Sequence, residues 1–264
     1  MPTITKIVQQ KKNKARYAIY LDREYGFSVE EDVLVRFQLT KGQSLSDEDI
    51  DAITEEESSQ RAYVQAVRYL SYRMRSIQEM EDYLKKKAID RKRIEQVMVR
   101  LIEEKLLDDN AFAKAYVRDR IRQTSKGPKI IINELMTKGI RHPIAHRAVQ
   151  QYDYESQLET VMKWLQKEYK KKSIHSFQKR QEQLKVKLMH KGFEHDIINE
   201  AFQRQGEVVD PEEEQRVLWK QADKLYRKHS RKFQGNELKM KMKQALYQKG
   251  FATELIEAYL TSLD

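Results

Sequence analysis

Asp47, Asp49 and Asp51 alternate like the opening of a calcium loop, in which oxygens from every second residue converge on one cation. The rest of that loop is missing. Ala52 stands where glycine must turn the chain, and Ser58 where a bidentate glutamate must close the coordination shell. His142 and His146 have the four-residue spacing that can put two imidazoles on one helix face, but Pro143 intervenes and no third ligand is identifiable nearby. Neither common glycine-rich phosphate loop occurs. The chain has no cysteine, which removes disulfides and thiolate metal sites together. The residues therefore point to a protein that is not an enzyme and uses no cofactor and no metal.

The stronger signal is segregated charge. The 51 Lys+Arg against 41 Asp+Glu give a net charge of +10. Residues 61–140 hold 19 basic and 11 acidic residues, and 163–191 and 220–249 each hold 10 and 2. Acid collects between them: 46–57 has seven acidic and no basic residues, 207–214 five and none. Basic blocks on acidic joints read as a surface for a polyanion or an acidic protein. The cations singled out as contact residues are Arg68, Arg73, Arg75, Lys85, Lys86, Arg91, Lys92 and Arg93, then Arg118, Arg120, Arg122, Lys126 and Lys129. Arg73 and Arg75 flank a helix junction, where a guanidinium can also cap carbonyls, and Lys85-Lys86-Lys87 also fits a solvated helix end.

The elements that must position these cations are helices. Only 8 Gly and 4 Pro occur in 264 residues, while Lys, Glu, Gln, Arg, Leu and Met are plentiful. Residues 1–40 differ: Ile4–Val8, Arg16–Leu21 and Phe27–Val29 are β-branched and aromatic, and predict a small antiparallel sheet with a turn over Asp22–Gly26. Ser28 with Glu31 has capping-box spacing for a short helix through Val33, Leu34 and Phe37; Ser46 with Asp49 predicts another through Ile50 and Ile53.

Further on, four segments superimpose: Leu84-Lys-Lys-Lys-Ala-Ile89, Leu135-Met-Thr-Lys-Gly-Ile140, Leu188-Met-His-Lys-Gly-Phe193 and Leu246-Tyr-Gln-Lys-Gly-Phe251. Their leucines lie 51, 53 and 58 residues apart, the mark of a repeat array. In each, Leu is the last buried residue of a helix, Lys complements the C-terminal dipole, Gly takes the left-handed position and Ile or Phe tucks back under. Ala88 replaces the glycine in the first copy, at about 1 kcal/mol if held at positive φ, so that cap is expected to be built differently.

Apolar spacing gives each copy three helices. In the first these run through Tyr63–Met74, from a Ser76–Glu79 capping box to Leu84, and through Ile94–Leu101. Pro128 opens a helix in the second copy, and Asp210-Pro211 opens the fourth. The fold class is thus mainly α: tandem, helix-turn-helix-like three-helix repeats in a curved array, with a small N-terminal antiparallel β-sheet subdomain. The expected divisions are 1–58 for the sheet and short helices, then repeats over 60–107, 108–152, 155–205 and 211–264.

The longest obvious apolar run, Ile130–Ile132, is far too short to span a bilayer, and residues 1–12 lack a secretory core. A cytoplasmic protein without a membrane role is expected. Its polar last helix suggests a self-capped monomer.

Tyr69-Leu70-Ser71-Tyr72-Arg73-Met74-Arg75-Ser76, then Ile94-Glu95-Gln96-Val97, Leu106-Leu107-Asp108-Asp109 and Phe112-Ala113, resemble the RecX family of regulatory proteins. Gly127-Pro128, Glu134-Leu135 and Lys138-Gly139-Ile140 extend the match over at least residues 60–205. The resemblance implies tandem three-helix repeats that bind the RecA recombinase and its filament on DNA. It further implies suppression of filament extension, ATP hydrolysis, strand exchange and coprotease activity, and so a role in recombination, DNA repair and the SOS response. The departures are Ala88, the N-terminal sheet and the fourth repeat, which make this a long version. The thirteen cations would then meet acidic recombinase surface or filament DNA. The competing reading is a nonspecific binder of single- or double-stranded DNA acting without a recombinase, for which only Arg91-Lys92-Arg93 opens a third helix in a DNA-facing manner.

Overall fold

The computed structural model describes residues 1–206 and 209–263. Asp264 and residues 207–208, which include Glu207 of the second acidic joint, lie outside the described residues. The chain forms two compact units: Met1–Ala113 with Leu135–Ala145, and Lys114–Glu134 with His146–Asp264.

In the first unit, β1 (Ile4–Gln9), β2 (Arg16–Leu21) and β3 (Glu24–Glu30) form an antiparallel sheet in sequence order. The turn is tighter than the expected five residues. Leu21 pairs with Glu24, leaving only Asp22 and Arg23 in the connection, both at positive φ, which is the twist that suits a two-residue hairpin. Asp22 accepts from the Thr3 amide at 3.0 Å, and the Arg23 amide donates to Thr5 Oγ1 at 3.0 Å, so neither needs to be glycine. Gly26 is instead the extra residue of a bulge, between Tyr25, opposite Tyr20, and Phe27, opposite Ile19. Ser28 is not a helix cap. It pairs with Ala18 inside β3, and α1 (Glu31–Arg36) starts from Glu30 without a side-chain cap.

The two helices expected around Ile50–Ile53 and Tyr63–Met74 are one. α2 (Asp47–Tyr72) runs 26 residues through the division expected at 58–60, because Ser58 and Ser59 are compatible with a helix whose neighbours on both sides favour one. Ser46 and Asp49 make the full capping box, so the calcium-like aspartates serve a helix start. Met74 lies beyond the helix and is half exposed. Arg16 on β2 ties the sheet to α2, reaching Glu30 at 3.1 Å and Glu57 at 2.8 Å.

The remaining helices come in threes after α2: α3 (Ile77–Lys86) and α4 (Arg91–Glu103) complete the first set. The second is α5 (Asp109–Gln123), α6 (Pro128–Thr137) and α7 (His142–Val149), and the third α8 (Tyr154–Tyr169), α9 (Phe177–His190) and α10 (His195–Gln205). The fourth is α11 (Pro211–His229), α12 (Gly235–Gln248) and α13 (Thr253–Thr261). Asp210 caps α11 as expected, accepting from the amides of Glu212 and Glu213.

All four caps are built alike. The fifth motif residue is left-handed in each: Ala88 at φ 56°, Gly139 at 80°, Gly192 at 89° and Gly250 at 80°. The sixth donates its amide back to the motif leucine, Ile89 to Leu84 O, Ile140 to Leu135 O, Phe193 to Leu188 O and Phe251 to Leu246 O. The different first cap expected from Ala88 does not occur; alanine is held in the strained conformation.

The glycines have a second duty. The Ser76 hydroxyl donates to Lys138 O at 2.6 Å, the Gly127 amide to Lys191 O at 2.7 Å, and the Ser176 hydroxyl to Lys249 O at 2.5 Å. The first turn of the middle helix in one repeat thus seats on the Lys-Gly turn of the next. A Cβ on Gly139 would fall 2.3 Å from Gln78 Cβ, one on Gly192 2.7 Å from the Ile130 nitrogen, and one on Gly250 3.0 Å from Ser176 Oγ. At Gly139 and Gly192 glycine is required by close approach as well as by φ, while at Gly250 the contact is tight and φ is the stronger demand.

Candidate functional site

The basic residues are the candidate site, and the fold sorts them by what each already touches. Arg73 forks onto Glu79, Nη1 to Oε2 at 3.1 Å and Nη2 to Oε1 at 3.3 Å, while Lys138 reaches the same carboxylate at 2.8 Å. Burial pushes the Glu79 carboxyl up, but the hydrogen bonds from Lys138 and Arg73 together hold it below the usual range. The Ser76–Glu79 capping box is therefore half made: Ser76 accepts from the Glu79 amide, and the Glu79 side chain turns to the two cations instead.

Arg75 lies flat over Tyr69, its guanidinium carbon 3.9 Å from the ring centroid. Tyr69 stacks on Tyr83 with centroids 3.8 Å apart and planes within 4°, and Lys87 Nζ lies 5.6 Å from the Tyr83 centroid. The buried Arg75 Nε has no hydrogen-bond partner, so the aromatic face is what holds this charge.

Lys85 pairs with Glu81 at 2.6 Å and Arg91 with Glu95 at 2.8 Å, each one helical turn away. Lys92 and Arg93 both reach Glu55 at 3.3 Å, and Arg93 also pairs with Asp90. In the second unit Arg120 donates to Tyr116 Oη at 2.7 Å and forms an ion pair with Glu134 at 3.0 Å, Lys126 closes on the same glutamate, and Lys129 meets Glu194 at 2.9 Å. Nine of the thirteen cations thus have a partner within the fold, with Lys85, Arg91, Lys92 and Lys129 in solvent-exposed pairs that hold them only weakly. Arg68, Lys86, Arg118 and Arg122 are exposed and have no carboxylate partner among the described residues, so these four are available to an anionic ligand.

The first acidic joint accounts for only part of the sorting, holding Lys92 and Arg93 of the thirteen. Glu55, Glu56 and Glu57 pair with Lys92 and Arg93, Arg36 and Arg16 respectively. Sequence proximity could not show this, because the partners sit on other elements. It also could not show the Tyr69–Tyr83 stack, whose signal is two tyrosines fourteen positions apart on separate helices.

One concave site among the described residues is already filled by structural contacts. A pocket of 220 Å³ is lined by Tyr169, His175, Arg180, Glu213 and Glu214. Arg180 is consumed by the carbonyls of Glu168, Tyr169 and Lys171, closing the C-terminus of α8. Glu213 accepts from the Ser173 amide and Glu214 from that of Phe177. No cluster of three His, Cys, Asp or Glu able to hold a metal occurs among the described residues, and no helix there is long and apolar enough to cross a membrane. His142 and His146 both lie on α7, exposed.

Family models match in chain order: the RecX N-terminal domain over residues 2–46, the first three-helix domain over 62–101 and the second over 108–149. The third three-helix model matches twice, over 155–202 and 212–260, which accounts for the fourth repeat. The chain is 40% identical to the regulatory protein RecX of Oceanobacillus iheyensis, over 98% of this chain and 97% of that one. It is also 40% identical to that of Halalkalibacterium halodurans, over 98% and 99%. A crystal structure of a regulatory protein RecX superposes with TM-score 0.68 at 34% identity, covering 75% of this chain and 98% of that chain. RecX from Lactobacillus salivarius gives 0.54 at 33%, covering 56% and 97%. With its N-terminal sheet and every one of its three-helix repeats matched, the chain belongs to the RecX family of regulatory proteins.

Proposed function

We propose that this chain regulates a RecA recombinase by binding its nucleoprotein filament, limiting filament extension, ATP hydrolysis, strand exchange and coprotease activity, and so modulating recombination, DNA repair and the SOS response in the cytoplasm. The observation that carries the reading is family membership over nearly the whole length. The sorted cations support it: a regulator that binds a polymer needs repeated surface contacts and no pocket, and weak contacts repeated along a polymer add up by avidity.

Arg68 and Lys86 of the first repeat and Arg118 and Arg122 of the second are the contact residues. Arg73, Arg75, Lys85, Arg91, Lys92, Arg93, Arg120, Lys126 and Lys129 shape and rigidify the surface that presents them. The role needs no catalytic group and no cofactor of its own.

The test is RecA-dependent ATP hydrolysis on single-stranded DNA, titrated with this protein at near-physiological salt. Suppression well below one protein per RecA is the expected result. No suppression at equal stoichiometry, with tight binding to the DNA alone, would overturn the reading in favour of a nonspecific DNA-binding protein, whose affinity would fall steeply with salt.

A further inference from the structure

Each joint between successive repeats uses one acceptor and one donor. The acceptor is the Lys-Gly-(Ile/Phe) turn, and the donor is the first turn of the preceding repeat's middle helix. Such an interface is head-to-tail: the two surfaces differ, so it has no built-in end and would continue from one molecule to the next unless stopped. Four repeats leave one acceptor and one donor over. The spare acceptor is Lys87-Ala88-Ile89 of the first repeat; the spare donor is the start of α12, Gln234-Gly235-Asn236.

The spare acceptor departs from all three seated acceptors, and the spare donor from two of the three seated donors, the Gly127 joint being made by a backbone amide. Ala88 has the backbone of a seated acceptor, at φ 56° with the same return bonds, but carries a methyl where the other three turns have hydrogen. At two seated turns an added Cβ would fall within 2.3 and 2.7 Å of incoming atoms, and at the third at 3.0 Å. The Ala88 turn is nevertheless accessible. Ala88 is exposed, Ile89 is half-buried where Ile140, Phe193 and Phe251 are buried, and a 340 Å³ cavity lined by Arg61, Gln65, Lys87, Ala88 and Arg93 opens beside it. At the other end, Gln234 replaces the serine of the Ser76 and Ser176 donors and makes no side-chain cap.

We infer that Ala88 is the stop that closes the repeat array against addition of a second copy of this chain, with Gln234 withholding at the other end the hydroxyl donor that two of the three seated joints use. The strain of alanine at positive φ is retained at Ala88 because its methyl occupies the space an incoming helix turn would need. A glycine there would relieve the strain and reopen the joint. The chain can thus carry the self-complementary chemistry of its own repeats without polymerising.

The experiment is sedimentation velocity of the full chain over a wide concentration range, comparing the unmodified protein with Ala88→Gly/Gln234→Ser and Ala88→Trp/Gln234→Ser. Glycine fits the Ala88 backbone without strain and Gln234 caps nothing, so both changes leave the fold intact; circular dichroism checks this. Expected are a monomer for the unmodified chain, concentration-dependent association to dimers and longer species for the glycine double variant, and a monomer again for the tryptophan variant. A glycine double variant as monomeric as the parent would overturn the inference. So would association of the unmodified chain that Ala88→Trp abolishes, or association of the double variant that tryptophan at 88 leaves unchanged.

Discussion

The Ser76 hydroxyl and the Lys138 carbonyl, 62 positions apart in sequence, meet at 2.6 Å, while the same hydroxyl oxygen accepts from the Glu79 amide at 3.1 Å. One fully buried oxygen thus caps α3 and anchors it to the next repeat. Ser76→Ala removes the cap, worth about 1 kcal/mol, and leaves a carbonyl short of a donor, at about 1–3 kcal/mol. The expected loss is about 2–4 kcal/mol in urea unfolding. Ser176→Ala is expected to behave alike, because Ser176 makes the same pair of bonds to Lys179 and Lys249.

Ala88 and Gly139 occupy equivalent left-handed positions but should respond oppositely to exchange. Ala88→Gly relieves positive-φ strain and is expected to stabilise by about 1 kcal/mol. Gly139→Ala adds that strain and drives a methyl into Gln78, so its loss should exceed the gain at 88. Thermal melts of the two variants check the asymmetry.

Acid should loosen the joint around Glu79. Its carboxyl is held below the ordinary value of 4.5 in the folded protein, so its contribution is present above that pH and is lost as pH falls through the depressed folded range. Glu57 has the opposite sign: burial raises its carboxyl, and its contribution declines as pH rises from the ordinary range through the raised one. Glu79→Gln is therefore expected to lower stability at neutral pH and to flatten the acid limb of stability against pH, measured by urea titrations from neutral to acid.

The Arg75–Tyr69–Tyr83 stack holds the junction between α2 and α3. Tyr69→Leu keeps an apolar side chain but removes the aromatic face, and should cost about 1–2 kcal/mol by loss of ring stacking and of the cation's support. Urea unfolding checks the loss.

Charge reversal separates contact residues from scaffold. Arg118→Glu with Arg122→Glu is expected to raise the amount needed for half-suppression of RecA ATP hydrolysis about tenfold, equivalent to about 1.4 kcal/mol, with unchanged melting. Arg120→Glu, one position between them in the alternation, should lower the melting temperature, because it turns a cation bonded to Tyr116 and Glu134 into a repelled anion.

Much of the repeat plan was legible because it is written in local chemistry. Leu-x-x-Lys-Gly-(Ile/Phe) describes a helix end completely within six residues, and the predicted helix triplets follow from apolar spacing alone. What was hidden depends on distant partners or on residues with two uses. Asp22 and Arg23 form a tight turn without glycine because Thr5 of β1 and Thr3 just before it support them. Ser28 has the spacing of a cap and the pairing of a strand, and the ladder with Ala18 decides it. The charge blocks were readable as composition, but whether a given cation is available depended on glutamates as far away as the 65 positions between Lys129 and Glu194.

The unbroken helix α2 has a consequence for how the N-terminal region comes apart. Its 26 residues span about 39 Å at 1.5 Å per residue, with Ile53 in the core under the sheet and Ala62 and Ala66 in the core of the first repeat. A helix shared by two cores couples their melting: fraying at one end removes the backbone from which the other is built. The sheet and the first three-helix set should therefore exchange their amide hydrogens as one block, with matched protection at Ile19 and Leu101, and a protease cut within Ser58–Gln60 should release both cores at once.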